Sequence, residues 1–140
     1  MYGRSKYKNN KVTVDNIQFD SKSEAARYSQ LKIMEGKGLI DNLELQPAFI
    51  IQDSCKIMYE GKKKTQLKIK YIADFMYIEN GKVIVEDVKS LFTSKDSVYK
   101  IKKKMMVSQQ DEQGFDIFRE YIVYNKSRHE VVDTERCYNG

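Results

Sequence analysis

Asp74, Asp87 and Lys89 are the residues of this chain whose types and spacing point most directly to chemistry. They lie in YIADFMYIENGKVIVEDVKS, which reads as two apolar strands joined by a tight turn over 79–82. Side chains alternate across a strand, so Asp87 and Lys89 point the same way, roughly 7 Å apart. The hairpin folds Asp74 back beside them. Unpaired charges are costly inside an apolar sheet. A divalent cation next to an anionic substrate would account for two carboxylates and an ammonium in that setting. A hard cation such as Mg²⁺ takes one or two protein carboxylates and fills its shell with water and phosphate, a role that suits Asp74 and Asp87. Lys89 could orient or help deprotonate an attacking water and offset charge developing on a phosphate. The plainer alternative is a pair of acids on a half-solvated sheet face. Glu86 neighbours Asp87 but falls on the opposite face, with Ile84 and Val88. A one-residue shift of register would make Glu86 the ligand and turn Lys89 away, so the shared parity of Asp87 and Lys89 favours Asp87.

Other charged residues are open to two readings each. Glu24 stands three residues after Ser21, the capping-box spacing. It also shares a helix face with Tyr28 and Leu31, from which a first-turn carboxylate could reach a metal directly or through water. Lys102 falls in the middle of a stripe made by Ile101, Met105, Val98, Met106 and Tyr99. It is either a lysine whose stem packs while its head reaches solvent or a second cation near the scissile phosphate. Lys100, Lys103 and Lys104 fall on the open side of that helix, a solvated or phosphate-facing surface. Lys62, Lys63, Lys64, Lys68 and Lys70 cluster on a turn and its following strand, either simply solvated or clamping phosphates. Gln46, just before the only proline, is a plain strand residue on spacing alone.

The elements that must position these residues follow from local patterns. KVTVDNIQF alternates around Asp15-Asn16, a short hairpin. SKSEAARYSQLKIMEGKG predicts a helix over 21–36, with Ser21 at its start and Gly36 and Gly38 at its stop. Strands are expected over 43–51, interrupted by Pro47, over 66–78, over 83–89 and over 118–125. A second helix is expected over 94–110, broken by Gly114. The tail 126–140 has no clear period and is left unassigned. Residues 1–11, with Arg4, Lys6, Lys8 and Lys11, read as a flexible basic arm, merely solvated or touching DNA. The second helix can act as a crossover that places the last strand parallel to an earlier one. The expectation is an α/β (α+β) fold with a mixed four-stranded central sheet flanked by helices.

With 140 residues the chain suffices for one compact domain, 1–140. It is 41% hydrophobic and 32% charged, which predicts a globular protein. Its net charge of +5 and pI of about 9.0 favour a polyanion partner, with ribosomal or membrane-surface roles open on charge alone. Cys55 and Cys137 have no metal-ligand spacing and predict free thiols in a reducing compartment, and His129 as sole histidine argues against zinc. The N-terminus has no apolar signal core, and no run has the length a membrane helix needs.

Glu24, Asp74 and Asp87-Val88-Lys89, in the order helix, three strands, helix, strand, resemble the PD-(D/E)XK nuclease superfamily with its αβββαβ restriction-endonuclease-like core. VTVDNIQFDSKSEAARY, LELQP, YIADFMY and VIVEDVKS resemble a phage-encoded family within it, related to Holliday-junction resolvases and phage recombination endonucleases. The resemblance spans residues 7–125, and its specificity lies in the combination, since the acid-X-lysine triplet alone is common. It implies that Asp74 and Asp87 are metal ligands aided by the Val88 carbonyl, that Lys89 is the catalytic lysine, that Glu24 completes the site and that Gln46 lies near it. Ala73 stands where the superfamily name has proline. The implied function is a Mg²⁺- or Mn²⁺-dependent DNA endonuclease acting on branched DNA such as a four-way junction, as a homodimer, in the cytoplasm of a bacterial host. The basic residues Arg4, Lys6, Lys8, Lys62, Lys63, Lys64, Lys100 and Lys103 would contact DNA. The rival expectations are a non-catalytic DNA-binding or replication-accessory protein that keeps the fold, and a protein-interaction module.

Overall fold

A computed structural model of the chain describes residues 11–138; Arg4, Lys6 and Lys8 of the expected basic arm lie outside them. Strands β1 (Val12–Val14) and β2 (Ile17–Phe19) form the expected hairpin. Asp15 and Asn16 turn it at φ of 52° and 63°, a left-handed pair that Asp and Asn tolerate. Helix α1 (Lys22–Gly36) starts where Ser21 accepts the Glu24 N–H.

The strand expected over 43–51 is two: β3 (Asp41–Leu45) and β4 (Ala48–Gln52). Pro47 has no N–H to give a ladder and Gln46 adopts φ 51°, so the chain leaves one sheet and enters another. Next come β5 (Cys55–Tyr59) and β6 (Lys62–Gln66), a hairpin turned at Glu60-Gly61. Lysines expected on a turn therefore sit on a strand, formed because β5 pairs with it rather than by any alternation of its own. The strand expected over 66–78 is likewise two, β7 (Ile69–Ile72) and β8 (Phe75–Glu79), parted at Ala73-Asp74. The two breaks face each other: Gln46 N–H donates to the Asp74 carbonyl at 2.9 Å, and Ala73 N–H to the Pro47 carbonyl at 3.1 Å. Both chains thus bend out of the main sheet at one place.

Strand β9 (Lys82–Ser90) follows the Asn80-Gly81 turn. The single helix expected over 94–110 is three pieces: α2 (Leu91–Ser94), α3 (Ser97–Ser108) and α4 (Gln110–Gln113). Ser90 and Thr93 form a capping box on α2, Asp96 caps α3, and Gly114 at φ 78° ends the run as expected. Strand β10 (Ile117–Asn125) pairs parallel to β9, the expected crossover. Strand β11 (Arg128–Thr134), in the unassigned tail, pairs antiparallel to β10. As a mostly exposed edge strand it has no buried face to imprint a period.

The main sheet is therefore mixed and five-stranded, β11-β10-β9-β8-β3, with one strand more than expected, and three two-stranded sheets accompany it. The architecture is mixed α and β, mostly β. One core lies under α1, where Leu31, Tyr28, Phe75, Tyr77 and Ile84 are buried; the other lies under α3, with Tyr71, Val85, Met106 and Phe118. The packed face of α3 is Tyr99, Met106 and Val107, while Val98 and Ile101 stay exposed. The helix is thus rolled from the expected stripe, which turns Lys103 toward the sheet and leaves Lys102 on its flank. Among the described residues no helix is long and apolar enough to cross a membrane.

Candidate active site

The bend at Ala73-Asp74 and the middle of β9 bring Asp74 and Asp87 together. Asp87 is 2% exposed. Its Oδ1 accepts the Asp74 N–H at 3.0 Å, and its Oδ2 is buried with no hydrogen-bond partner. Asp74 in turn accepts the Val88 N–H on Oδ2 at 2.8 Å. Each acid is thus pinned by the other's strand. A buried carboxylate oxygen without a donor is costly, and a cation or a water is the partner that satisfies it. Burial pushes both carboxyls up to about 6, against the pull of Lys89 and of the N–H groups they accept.

Glu24 arrives from the other side. Ser21 caps its N–H, but the Glu24 carboxylate lines a small cleft of about 100 Å³ with Gln46, Asp74 and Phe75. Burial, then Asp74, Asp20 and Asp87, push it up to about 7. The capping and the acidic roles are therefore compatible, one using the backbone and the other the side chain. Gln46 reaches this cleft because of the kink that ends β3. Glu24 also borders a groove of about 530 Å³ with Val88, Lys89, Ser90 and Thr93, at the C-terminal ends of β9 and β10. Open sheets place ligands at such ends. A neighbouring hollow of about 450 Å³ shares Ser23 and Val123 with that groove and carries Lys22, Lys126 and His129.

Lys89 shares the α3-facing side of β9 with Asp87, and its ammonium lies 4.4 Å from the Tyr99 ring centroid. Tyr99 donates to Glu120 at 2.7 Å, and Lys103 binds the other Glu120 oxygen at 2.7 Å. Glu120 stands directly across from Asp87 in the parallel register and is 5% exposed. Burial and this carboxylate hold the Tyr99 phenol far above its ordinary range. Tyr99, Glu120 and the nearby Asp20 escape a sequence reading, because one looks like core, one like a strand acid and one like a loop acid. We expect Tyr99→Phe to keep the ring under Lys89 but strip Glu120 of a donor, lowering stability by about 1–3 kcal/mol. Tyr99→Leu should also take away the ring under the Lys89 ammonium and lower stability further; equal urea-unfolding free energies for the two variants would detach Tyr99 from Lys89.

Glu86 is not near the acids' open side. It is wholly buried under α1, held by Arg27 at 2.7 and 2.9 Å and by the Tyr77 hydroxyl. Arg27 in turn lies 4.2 Å over the Tyr121 ring. That pairing supplies the partner a buried carboxylate needs and leaves Asp87 as the acid facing Lys89. Lys102 directs its ammonium to the Lys70 carbonyl at 3.3 Å rather than to a carboxylate. Lys103, expected on an open side, solvated or phosphate-facing, is instead the ion-pair partner of Glu120, because α3 rolls to bury Val107 beside Tyr99 and Met106 and leaves Val98 and Ile101 exposed. Lys100 is exposed on α3, and Lys62, Lys63 and Lys64 are exposed on β6.

Among the described residues no group of three or more His, Cys, Asp or Glu side chains is arranged to enclose a cation by itself. The donor set still suits Mg²⁺ or Mn²⁺: oxygen atoms only, one carboxylate on β9 with a free buried oxygen, one at the bend between β7 and β8, and a third across the cleft.

The family described as "Protein of unknown function (DUF1064)" matches residues 4–133. No curated protein matches the chain. One similar solved structure, described as "Crystal structure of SSO0001", is 17% identical with a TM-score of 0.46. The match covers 83% of this chain and 52% of that one, so the chain spans about half the length of that protein.

Proposed function

The chain belongs to the DUF1064 family, and we propose that this member is a metal-dependent DNA endonuclease of the PD-(D/E)XK type. The observation that carries the reading is the buried, unpartnered Oδ2 of Asp87, beside Asp74 and Glu24 and on one face with Lys89. The order α1, β3, β8, β9, α3, β10, with β9 and β10 parallel, supports an αβββαβ restriction-endonuclease-like core. A net charge of +5 supports a polyanionic substrate.

Asp74 and Asp87 would hold the cation from the strand side, with the Val88 carbonyl nearby and Glu24 across the cleft. When bound, a divalent cation supplies stabilisation for charge that develops on the phosphate oxygens. Lys89, steadied over Tyr99, orients the attacking water and faces the same charge. Water adds to phosphorus and the P–O3′ bond breaks, leaving 5′-phosphate and 3′-hydroxyl ends. A branched substrate such as a four-way junction needs two symmetric nicks, which a C2 homodimer provides. The deciding experiment is cleavage of an end-labelled four-way junction and of matching linear duplex with Mg²⁺, Mn²⁺ or EDTA. Paired, metal-dependent nicks confined to the junction are expected. Equal cutting of duplex would make it a general nuclease. No cutting with any metal, with binding intact, would move the reading to a non-catalytic DNA-binding protein.

The raised carboxyls make a second test. Glu24 is held at about 7 against an ordinary 4.5, and Asp74 and Asp87 at about 6 against 3.8. A carboxyl raised in the folded state stabilises it fully below the unfolded pKa and loses that contribution as pH rises through the folded value. The Tm of EDTA-treated protein should therefore fall as pH rises from about 4 to about 7. Mn²⁺ at pH 8 should raise it again by mass action. A Tm at pH 8 that ignores Mn²⁺ would count against a cation at these acids.

A further inference from the structure

We infer that the β5–β6 hairpin is an arm that enters a groove of duplex DNA, a role that rests on the DNA part of the proposed function but not on its chemistry. The ribbon has two unlike halves. Its root, β4 with β7, is fixed: Phe49, Ile51 and Tyr71 are buried under α3, and Gln109 and Gln113 each donate to β4 carbonyls at 2.9 Å. Beyond residue 52 the burial stops. Every residue of β5 and β6 is exposed, and the two strands pack chiefly on each other. A lone two-stranded hairpin is marginal in water, and this one stands on a rigid root with nothing among the described residues covering it.

Its charge says what would cover it. Residues 53–70 hold six lysines against Asp53 and Glu60, a net +4 out of +5 for the whole chain. Lysines occupy both faces. Tyr59 pairs with Lys62 and Ile57 with Lys64 on one face, while Met58 pairs with Lys63 on the other. The Lys64 ammonium lies 4.6 Å from the Tyr59 ring centroid. Met58 is 66% and Tyr59 51% exposed, so apolar groups crown the tip among cations. A two-stranded ribbon fits the B-DNA major groove, about 12 Å wide, and five residues per strand reach about 17 Å. Lysines on both faces would meet the phosphates of both walls, with Met58 and Tyr59 toward the base edges. A second copy is a poorer occupant, since pairing two such ribbons opposes like charges.

The test is fluorescence anisotropy of the full chain on labelled duplex and four-way junction, in EDTA, between 50 and 200 mM salt. K62Q/K63Q/K64Q should bind at least 10-fold more weakly. Its salt slope should fall by about 2–3, since each phosphate contact contributes about 0.9. K62R/K63R/K64R should bind like the parent, and Tyr59→Ala should weaken binding without changing the slope. Binding by the glutamine variant within twofold of the parent, with the same slope, would overturn the inference. So would no binding by the parent at 50 mM salt, or a loss of binding that sedimentation traces to a dimer falling apart. No metal is present, so cleavage plays no part. Arm-dependent binding by a chain that never cuts DNA would sink the nuclease reading and leave this one standing.

Discussion

Asp87→Asn should lower metal-dependent cleavage on the order of 10³-fold or more while DNA affinity in EDTA stays within a few fold. The substitution is close to isosteric. The Asn carbonyl can still accept the Asp74 N–H that Oδ1 takes now. What changes is the other atom: an amide replaces the buried oxygen that has no protein partner, and the negative charge is lost. A ligand role predicts collapse of activity with the fold intact. It also predicts a higher Tm than the parent's in EDTA at pH 8, because an acid raised to about 6 no longer has to ionise in place. Asp74→Asn should behave alike, although it also perturbs the bend through the Val88 N–H it accepts. Cleavage that survives Asp87→Asn and disappears in folded Glu86→Gln would move the ligand to the opposite face of β9.

Arg27→Ala should cost about 3–5 kcal/mol of stability, a fall in Tm of roughly 10–20 °C, without touching the acids on the other face. The guanidinium grips both oxygens of Glu86, a side chain with no exposure at all. Removing it leaves a buried carboxylate with the Tyr77 hydroxyl as its remaining close donor. Tyr77 itself is tied to Arg119, which also binds Glu79 and Asp133, so the defect sits at one end of a network that crosses the sheet. Because the penalty comes from the orphaned charge, replacing both partners should do less harm than removing one. Arg27→Met combined with Glu86→Leu should recover much of the lost Tm. Urea unfolding of the single and double variants checks this; a single variant within 1 kcal/mol of the parent would remove the buried pair from the stability account.

What the sequence determined by itself is what short stretches of chain decide. Ser21 and Glu24 mark the start of α1, Asp15-Asn16 and Asn80-Gly81 mark two turns, and strand parity sets Asp87 with Lys89 and against Glu86. Those outcomes depend on φ and ψ preferences and on hydrogen bonds a few residues apart, which the local sequence carries in full. The tertiary structure alone decided the rest. Gln46-Pro47 and Ala73-Asp74 break two strands at one bend because each break satisfies the other's backbone, far away in sequence. Glu86 became structural when Arg27 reached it from α1, and Glu24 entered the acid cluster when the bend brought Asp74 to its cleft. Lys103 and Lys102 exchanged their expected places because α3 kept Tyr99 and Met106 inward but rolled to bury Val107 in place of Val98 and Ile101, and β10 offered Glu120 to the lysine that came inward. In each case the free energy resides in desolvation and in a charge finding its partner across the fold. Such terms have no value until distant segments meet, so no local pattern can announce them.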